Sequence, residues 1–530
     1  MALELPPDDT HGVPADDATN GSARREEAPA RPYPERTVPP RPAEPQPEPA
    51  SLDQAAIRTT IAGIMLALFL GALEQTIVAP ALPAIGRSIG HIDDLPWVVT
   101  AYLLAATAAT PLFGKLSDIH GRRTILLTCI SIFIAGSVAC ALAPAMWVLV
   151  LARALQGLGG GGLLPIVQTI IGDLLSPRER PLVQSYVSLT FMSASILGPV
   201  LGGLLTDHLH WSFIFWLNLP LGTVALVMTS RALRRLPRHE RPHRLDLIGG
   251  MLMVGAALAL MLALSWGAMR YGWSSWRIVS LFAGSAVLWI LFVVRLLTAR
   301  EPFIPLTILR GRVTSAMTCA SFFAIGTIIG VTIYTPLYCQ VVLGASASVS
   351  GLALIAFMVG TTVGSLAAGR LIVGLAHYMR VPVVGLVIAI ALLGFLAAFP
   401  ARLSLGAFAL VLGVLGVGLG PMYTVGTVVM QNAVKRHEFG IATGTLNLFR
   451  VLGGALVVAA FGAIVLGGAG DAASVMMLGK LAPAHSDFAP VFRLVFIAAA
   501  AFLGVALACV LAVEERPLHG PVRLTDRAEE

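Results

Sequence analysis

Long apolar runs separated by short polar stretches dominate the chain from about residue 60 to its C-terminal region. The runs approach the roughly 20 residues that a helix needs to cross the hydrocarbon core of a bilayer. A membrane barrel would instead show segments of about 10 residues that alternate in polarity. The pattern predicts an all-α integral membrane protein with fourteen spanning helices. They lie near residues 60–84, 96–114, 124–142, 146–172, 182–205, 212–231, 246–266, 276–297, 314–340, 349–371, 382–399, 403–428, 440–466 and 490–513.

The composition excludes a soluble globular protein. Hydrophobic residues make up 56% of the 530 residues and charged residues only 12%, which is more apolar surface than a soluble core can bury. Residues 1–57 differ, because they are rich in Pro, Glu, Asp and Arg and are predicted to form a disordered tail. The five cysteines fall inside predicted spans without ligand spacing, so we expect no disulfide, metal site or cofactor.

The positions of lysine and arginine orient the predicted helices. An even number of spans places both termini on one side of the membrane, and basic residues favour cytoplasmic connections. Connections after even-numbered spans hold 19 Lys and Arg residues, whereas those after odd-numbered spans hold 6. Both termini are therefore predicted to be cytoplasmic, in a plasma or inner membrane. The formal charge of +7 follows from this topology and requires no nucleic-acid partner.

Glu74 stands inside an apolar run, FLGALEQTIVAPALP, where a charge is unfavourable. An ionised side chain at mid-membrane costs from about 3 kcal/mol upward, so such residues face the bundle interior and usually have a function. Burial favours a neutral acid, whereas a nearby guanidinium favours the carboxylate. A carboxyl group that alternates between two such environments can carry a proton. The alternative is a fixed ion pair.

Glycines cluster inside the spans, as in GLGGGGLL (157–164) and GVLGVGLGP (413–421). Small residues let membrane helices approach closely, which serves packing and also permits the helices to slide. A weak repeat relates GKLSDIHGRR (114–123) to GRLIVGLAHYMR (369–380), each of which follows an even-numbered span. The repeat predicts two six-helix halves, with the seventh and eighth spans inserted between them.

The segment GKLSDIHGRRTILL (114–127) resembles the signature turn between the second and third helices of the major facilitator superfamily. Further stretches are similar to motifs of its fourteen-helix drug:proton antiporter family, of the multidrug efflux type. LEQTIVAPALP resembles the first-helix motif, with Glu74 in place of the usual Asp, and LARALQGLGGGGLLP resembles the fourth-helix motif around Arg153. SILGPVLGGLL resembles the fifth-helix antiporter motif, and YTPLYCQVVLG and NLFRVLGGA resemble elements of the second half. HWSFIFWLNLPLG resembles the sixth-helix signature, although Ser212 stands where an arginine is usual.

The resemblance implies a major facilitator fold, in which two six-helix bundles are accompanied by two additional central helices. The predicted parts of the chain are a cytoplasmic tail (1–57), an N-terminal bundle (58–231), a basic linker with two inserted helices (232–312), a C-terminal bundle (313–513) and a second cytoplasmic tail (514–530).

The resemblance also implies roles for particular residues. Glu74 and Arg153 would couple transport to protons, with Arg153 tuning the acid; the alternative is that Arg153 is a buried arginine that serves only the fold. Arg450 either has a specific role near the start of the thirteenth span or reaches the cytoplasmic surface. The other implied sites are a conformational latch at Gly114, Asp118, Gly121, Arg122 and Arg123, an antiporter motif at Gly198, Pro199, Gly202 and Gly203, and candidate cavity or coupling residues Gln340, Asn447 and Arg450.

Three of these sites carry further expectations. Asp118 stands a few residues ahead of the predicted third helix, so its carboxylate is expected to meet Arg122 and the N-terminal donors of that helix. For Arg123, the preference for basic residues on the cytoplasmic side of the membrane is sufficient to explain why an arginine stands there. Pro199 removes a backbone hydrogen bond and bends the fifth helix, which serves either exchange transport or packing alone.

The sequence thus predicts a monomeric proton-coupled transporter, not an enzyme, that exports drugs or other amphiphilic small molecules across a lipid bilayer by alternating access. The open alternatives are an importer or exporter of a specific metabolite or lipid, and a non-transporting membrane sensor. Nucleophiles, bases and metal ligands do not cluster along the sequence as a membrane enzyme would need. One acid in the first half favours cationic amphiphiles, but antibiotics, dyes, lipids and metabolites all remain open as substrates. The external connection 467–489 has no assigned role.

Overall fold

The computed structural model describes residues 54–90, 95–235, 246–269, 272–299, 302–345, 347–375, 377–400, 403–469 and 488–515. Among these residues, fourteen helices are long and apolar enough to cross a membrane, at the positions predicted from the sequence. They are α1 (Gln54–Ile89), α2 (Leu95–His120), α3 (Arg122–Ala141), α4 (Met146–Leu174), α5 (Arg180–His208), α6 (Phe213–Ala232), α7 (Leu247–Met269), α8 (Trp276–Thr298), α9 (Arg312–Val341), α10 (Ala347–Gly374), α11 (Arg380–Ala398), α12 (Leu405–Ala433), α13 (Phe439–Ala469) and α14 (Ala489–Leu511). The two predicted tails and the connection 467–489 lie largely outside the described residues.

The helices form two six-helix halves that repeat one packing pattern. In the first half α1 packs against α5 and α6, α4 packs against α2 and α3, and α3 packs against α6. The equivalent pairs recur in the second half, where α9 packs against α13 and α14, α12 against α10 and α11, and α11 against α14. Helices α7 and α8 pack together as an additional pair. The predicted fold class is therefore confirmed, while the domain boundaries given above remain predictions.

Two equivalent seams join the halves. Helix α2 packs against α13 at one seam, and α5 packs against α10 at the other. The inserted helix α7 contacts both α2 and α13. The insertion therefore covers the α2–α13 seam and makes the two seams different from each other.

The glycine-rich segment of α4 brings three helices into close contact. A Cβ atom on Gly161 would collide with the backbone of Ala106 on α2, and one on Gly159 would collide with the backbone of Phe133 on α3. A Cβ atom on Gly416 of α12 would likewise meet the backbone of Phe357 on α10. Larger side chains at these positions would separate the helices, as expected where small residues mediate membrane helix packing.

Helix α2 is longer than predicted. It continues past residue 114 to His120, and a single residue, Gly121, connects it to α3. Gly121 has a φ of 87°, a conformation that favours glycine because a Cβ atom would be strained there. Asp118 therefore lies in the last turn of α2, not in a turn ahead of α3 as the sequence suggested. We call the end of the bundle that carries this connection the basic end, because the connections rich in Lys and Arg lie there.

Candidate functional site

Glu74 lies on α1 and is completely buried, with 0% of its surface exposed. Arg153 on α4 donates from Nη1 to Glu74 Oε1, which forms an ion pair inside the first half. Asn218 on α6 donates from Nδ2 to Glu74 Oε2 at 2.5 Å. Each carboxylate oxygen thus has a donor, as a carboxylate removed from water requires. The structure brings together the two residues that the sequence proposed for proton coupling.

Arg153 is held from several directions. Its Nε donates to the carbonyl of Val98 at 2.9 Å, and its Nη1 also donates to Gln156 Oε1 at 2.7 Å. The guanidinium carbon lies 4.4 Å from the centre of the Tyr102 ring, which is a cation–π contact. Gln156 in turn donates to Ser137 Oγ at 2.6 Å. We call the hydrogen-bonded group the Glu74 cluster; its members are Glu74, Ser137, Arg153, Gln156 and Asn218.

A cavity of about 420 Å³ lies between the two halves. Helices α1, α2, α4 and α5 of the first half and α9, α10, α12 and α13 of the second half contribute to its lining, which is mostly apolar. Gly71 and Gln75, on either side of Glu74 along α1, line it together with Tyr102. Since Tyr102 also contacts Arg153, one aromatic side chain separates the cavity from the Glu74 cluster.

Arg450 of α13 lines the cavity from the second half and is only 4% exposed. Its Nη1 donates to Thr427 Oγ1 and to Asn447 Oδ1, each at 3.2 Å, and its Nη2 donates to the carbonyl of Tyr423 at 3.3 Å. Arg450 lies more than two turns from the start of α13, too deep to reach the surface. The alternative that it snorkels to the basic end is therefore wrong.

Asp118 joins the halves at the basic end. Its Oδ1 and Oδ2 accept hydrogen bonds from the backbone N–H groups of Gly440 at 3.0 Å and Ile441 at 2.8 Å. These N–H groups belong to the first turn of α13, where unpaired donors and the helix dipole favour a carboxylate. The expected helix-terminus contact exists, but it is with α13 of the opposite half and not with α3. Arg122 also donates to Asp118, as predicted.

The other predicted latch residues divide into two groups. Arg122 reaches further, donating from Nε to Asp173 of α4 at 2.8 Å and from Nη2 to the carbonyl of Arg436 at 3.5 Å. Gly114 packs on the backbone of Gly440, so it also lies in the α2–α13 seam. By contrast, Gly121 only forms the turn, and Arg123 bonds within the first half, to the carbonyl of Ser230 at 3.3 Å.

Further hydrogen bonds close the cavity on its basic side. Asn447 donates to the side-chain Oε1 of Gln168 on α4 at 2.7 Å, and Gln431 donates to the backbone carbonyl of Gln168 at 2.8 Å. At the α5–α10 seam, the hydroxyls of Ser188 and Ser365 lie 2.8 Å apart. All these bonds involve the basic-end parts of their helices, so this conformation is closed at the basic end.

The antiporter motif of α5 packs against α1 one turn beyond Glu74 along that helix. A Cβ atom on Gly198 would collide with Thr76, and one on Gly202 would collide with the carbonyl of Ile77. A Cβ atom on Gly203, by contrast, would meet nothing within 4 Å. Pro199 lies on the exposed face of α5. Two of the four motif residues thus determine how closely α5 approaches the helix that carries the acid.

Sequence reasoning missed several members of the site. Asn218 and Gln156 are neutral, so the membrane penalty that identifies Glu74 gives only a weak signal for them. Gln156 lies three residues after Arg153, on the same helix face, and Asn218 lies in HWSFIFWLNLPLG, the stretch that resembles the sixth-helix signature, so each position offered one clue. Gln340, proposed as a cavity residue, is exposed in the last turn of α9 and does not line the cavity. Its polar side chain lies at a helix end, outside this cavity.

The arrangement supports reversible proton binding next to a compartment for a small molecule. A buried acid with a guanidinium partner can be neutral or ionised depending on that partner's distance, and the cavity lies one side chain away. Within the described ranges, no group of three or more His, Cys, Asp or Glu side chains is arranged to hold a metal ion.

Comparison with known proteins gives a consistent result. The sequence model of the Major Facilitator Superfamily matches residues 64–458. The chain is 31% identical to the multidrug transporter protein MdtP of Bacillus subtilis, over 80% of this chain and 77% of that protein. It is 32% identical to multidrug resistance protein 3 of the same organism, over 78% and 80% of the two chains. Among solved structures, the human organic anion transporter MFSD10 superposes with a TM-score of 0.59 at 17% identity, covering 86% of this chain and 99% of that one.

Proposed function

Because the chain belongs to the major facilitator superfamily, within its multidrug efflux type, we propose that it is a proton-coupled antiporter that exports amphiphilic small molecules by alternating access. The similarity to a multidrug transporter and to a multidrug resistance protein supports export of drug-like compounds. The charge distribution along the sequence supports a cytoplasmic basic end in a plasma or inner membrane, with both termini on that side. The conformation closed at the basic end is then the outward-facing one, and the transporting unit is a monomer.

The Glu74 cluster beside the cavity carries this proposal. A proton arriving from the external side binds Glu74 and removes its charge from the pair with Arg153. Arg153 keeps its neutral partners, the carbonyl of Val98 and Gln156, so its guanidinium stays hydrogen-bonded when the counter-charge is lost. Release of the proton to the cytoplasm restores the ion pair. Proton and substrate are coupled only if each binds the two conformations with different affinity.

The proposal is tested with the full chain in proteoliposomes under an imposed pH gradient. Transport of ethidium and of a panel of uncharged and anionic dyes is measured for the parent protein and for Glu74→Gln, which keeps the shape but cannot release a proton. We expect Glu74→Gln to lose proton-driven accumulation, by about tenfold or more, while gradient-independent exchange persists. The direction of accumulation relative to the gradient distinguishes export from import.

Asp246→Asn is the matched control. Asp246 is a buried carboxylate that pairs with Arg295 at 3.1 Å, but it lies at the start of α7, outside the cavity. We expect this variant to retain proton-driven transport. Full proton-driven transport by Glu74→Gln would remove Glu74 from the mechanism, and equal losses in both variants would show a general effect of removing a buried charge.

A further inference from the structure

The charges around the cavity are unequally distributed. The carboxylate of Glu74 is already matched by Arg153 inside the Glu74 cluster, behind Tyr102, so this pair adds no net charge. Among the described residues that line the cavity, Arg450 carries the only side-chain charge. The cavity therefore has a net positive charge, although the sequence, with its one acid in the first half, favoured cationic substrates.

Arg450 lacks a charged partner in the described part of the chain. Its three acceptors, on Thr427, Asn447 and Tyr423, are all neutral oxygens at 3.2 to 3.3 Å. Its buried Nε has no hydrogen-bond partner among the described residues. A guanidinium cannot lose its charge, and several kcal/mol are typically lost when an ion is buried without a counter-charge. The arginine at this position thus offers strong binding to an anion.

The remaining lining suits an organic anion rather than an inorganic one. On the side of the second half, the cavity that Arg450 lines is also lined by apolar side chains such as Ile325, Ile328, Phe357 and Met358. A volume of about 420 Å³ falls within the range of small-molecule sites, roughly 300 to 1,000 Å³. Such a site combines one cationic anchor with space for an apolar body.

We propose that Arg450 binds an anionic group of the transported molecule, so that the preferred substrates are amphiphilic acids carrying a carboxylate or sulfonate. This inference rests on the proposed function, because it assigns the substrate class of the same cavity. The substrate anion completes the hydrogen bonding of the guanidinium, and the apolar walls receive the rest of the molecule. A charge-assisted contact of this kind is stronger than one between neutral groups.

The test compares two probes that differ only in the charged group, dansylglycine and dansylglycinamide. Their fluorescence is titrated with the purified full chain in detergent, without any gradient, against empty micelles. We expect the parent protein to bind the carboxylate at least about tenfold more tightly than the amide. Arg450→Gln is expected to remove this preference, because it weakens the binding of dansylglycine more than that of dansylglycinamide.

Asn447→Asp provides a second variant that keeps the arginine. Asn447 already contacts Arg450, so a carboxylate there supplies the missing counter-charge within the protein. We expect it to remove the preference for dansylglycine as Arg450→Gln does, even if the latter folds poorly. Arg295→Gln, which removes an arginine outside the cavity, is the control and is expected to keep the preference.

Two results would overturn the inference. One is equal binding of the two probes by the parent protein, and the other is a preference that survives in Arg450→Gln or in Asn447→Asp. Because binding is measured at equilibrium without a gradient, a failure of proton-coupled export would leave the preference intact. Export with no preference for the carboxylate would contradict only the substrate class.

Discussion

The ion pair of Glu74 and Arg153 is closed off from water, with side-chain exposures of 0% and 2%. The two residues are not equally supported by neutral groups. Arg153 has the carbonyl of Val98, Gln156 and the Tyr102 ring, whereas Glu74 has Asn218 besides its arginine. Losing the arginine therefore leaves the more poorly supported charge behind. The stability of the pair should depend on which partner is removed.

A double-mutant cycle tests this asymmetry. We expect Arg153→Met to destabilise the protein by about 3–5 kcal/mol, because it leaves a buried acid that must either stay ionised without its counter-charge or take up a proton. Glu74→Gln should have a smaller effect, and the double variant should be more stable than Arg153→Met alone. Equilibrium unfolding in SDS measures all four proteins. Effects that add to within about 0.5 kcal/mol would mean that the two charges are not coupled in the folded state.

The residues that the sequence could identify are those with a large free-energy penalty in a membrane. Glu74 and Arg153 stand out because a charge within an apolar run needs a compensating partner. Asn218 completes the same cluster and Tyr102 packs on its arginine, but a neutral amide or an aromatic ring is compatible with many environments. The partners of Asp118 were also hidden, because Gly440 and Ile441 contribute only backbone N–H groups. Their identity depends on the tertiary fold.

At the scale of helices, hydropathy predicts the number and type of elements and misses where some of them end. The predicted second span ends near residue 114, where polar residues begin, but α2 continues to His120. Polarity marks where a helix leaves the membrane, not where it stops. Gly121, whose positive φ terminates the helix, is the residue that sets the boundary. The internal repeat is weak in the sequence, but it is clear in the structure, where the same set of helix pairs occurs in both halves.

Close packing of α5 on α1 gives a prediction at this scale. Gly202→Ala would place a Cβ atom against the carbonyl of Ile77, and such overpacking typically destabilises by about 1–3 kcal/mol. Gly203→Ala, the adjacent position of the same motif, meets open space and should be tolerated. Thermal unfolding of the purified variants, followed by intrinsic fluorescence, distinguishes them. Equal midpoints for the two variants would contradict a packing role for Gly202.

At the scale of the whole molecule, the two halves meet at two seams. The seams are formed by equivalent helix pairs, but the residues in contact differ between them. The α2–α13 seam contains Asp118, Arg122 and Gly114, and α7 covers it. The α5–α10 seam contains the hydroxyl pair of Ser188 and Ser365. Because the named bonds lie at the basic end, opening that end must break them. We therefore expect the charged contacts of Asp118 to favour the present conformation over one that is open at the basic end.

Asp118→Asn is expected to shift this conformational equilibrium. Hydrogen bonds to a charged group contribute about 1.5–3 kcal/mol each, so weakening them should change the ratio of conformations by about tenfold or more. Pulsed electron–electron double resonance measures the distance between two spin labels in a background lacking the five native cysteines. Labels at His120 and His437, both exposed at the basic end, should move apart. Labels at Leu142 and Gln340, at the opposite end, should approach each other.

Arg123→Gln is the matched control for this experiment. Arg123 belongs to the same short segment and carries the same charge as Arg122, but it bonds to Ser230 within the first half. Removing it leaves the α2–α13 seam intact, so both label distances should stay as in the parent protein. Because Asp118→Asn raises and Arg123→Gln lowers the net charge of the segment by one, an equally large shift of opposite sign in Arg123→Gln would mean that this net charge, and not the contact of Asp118 with α13, sets the equilibrium. Unchanged distances in Asp118→Asn would show that the seam is held mainly by packing, as between Gly114 and Gly440.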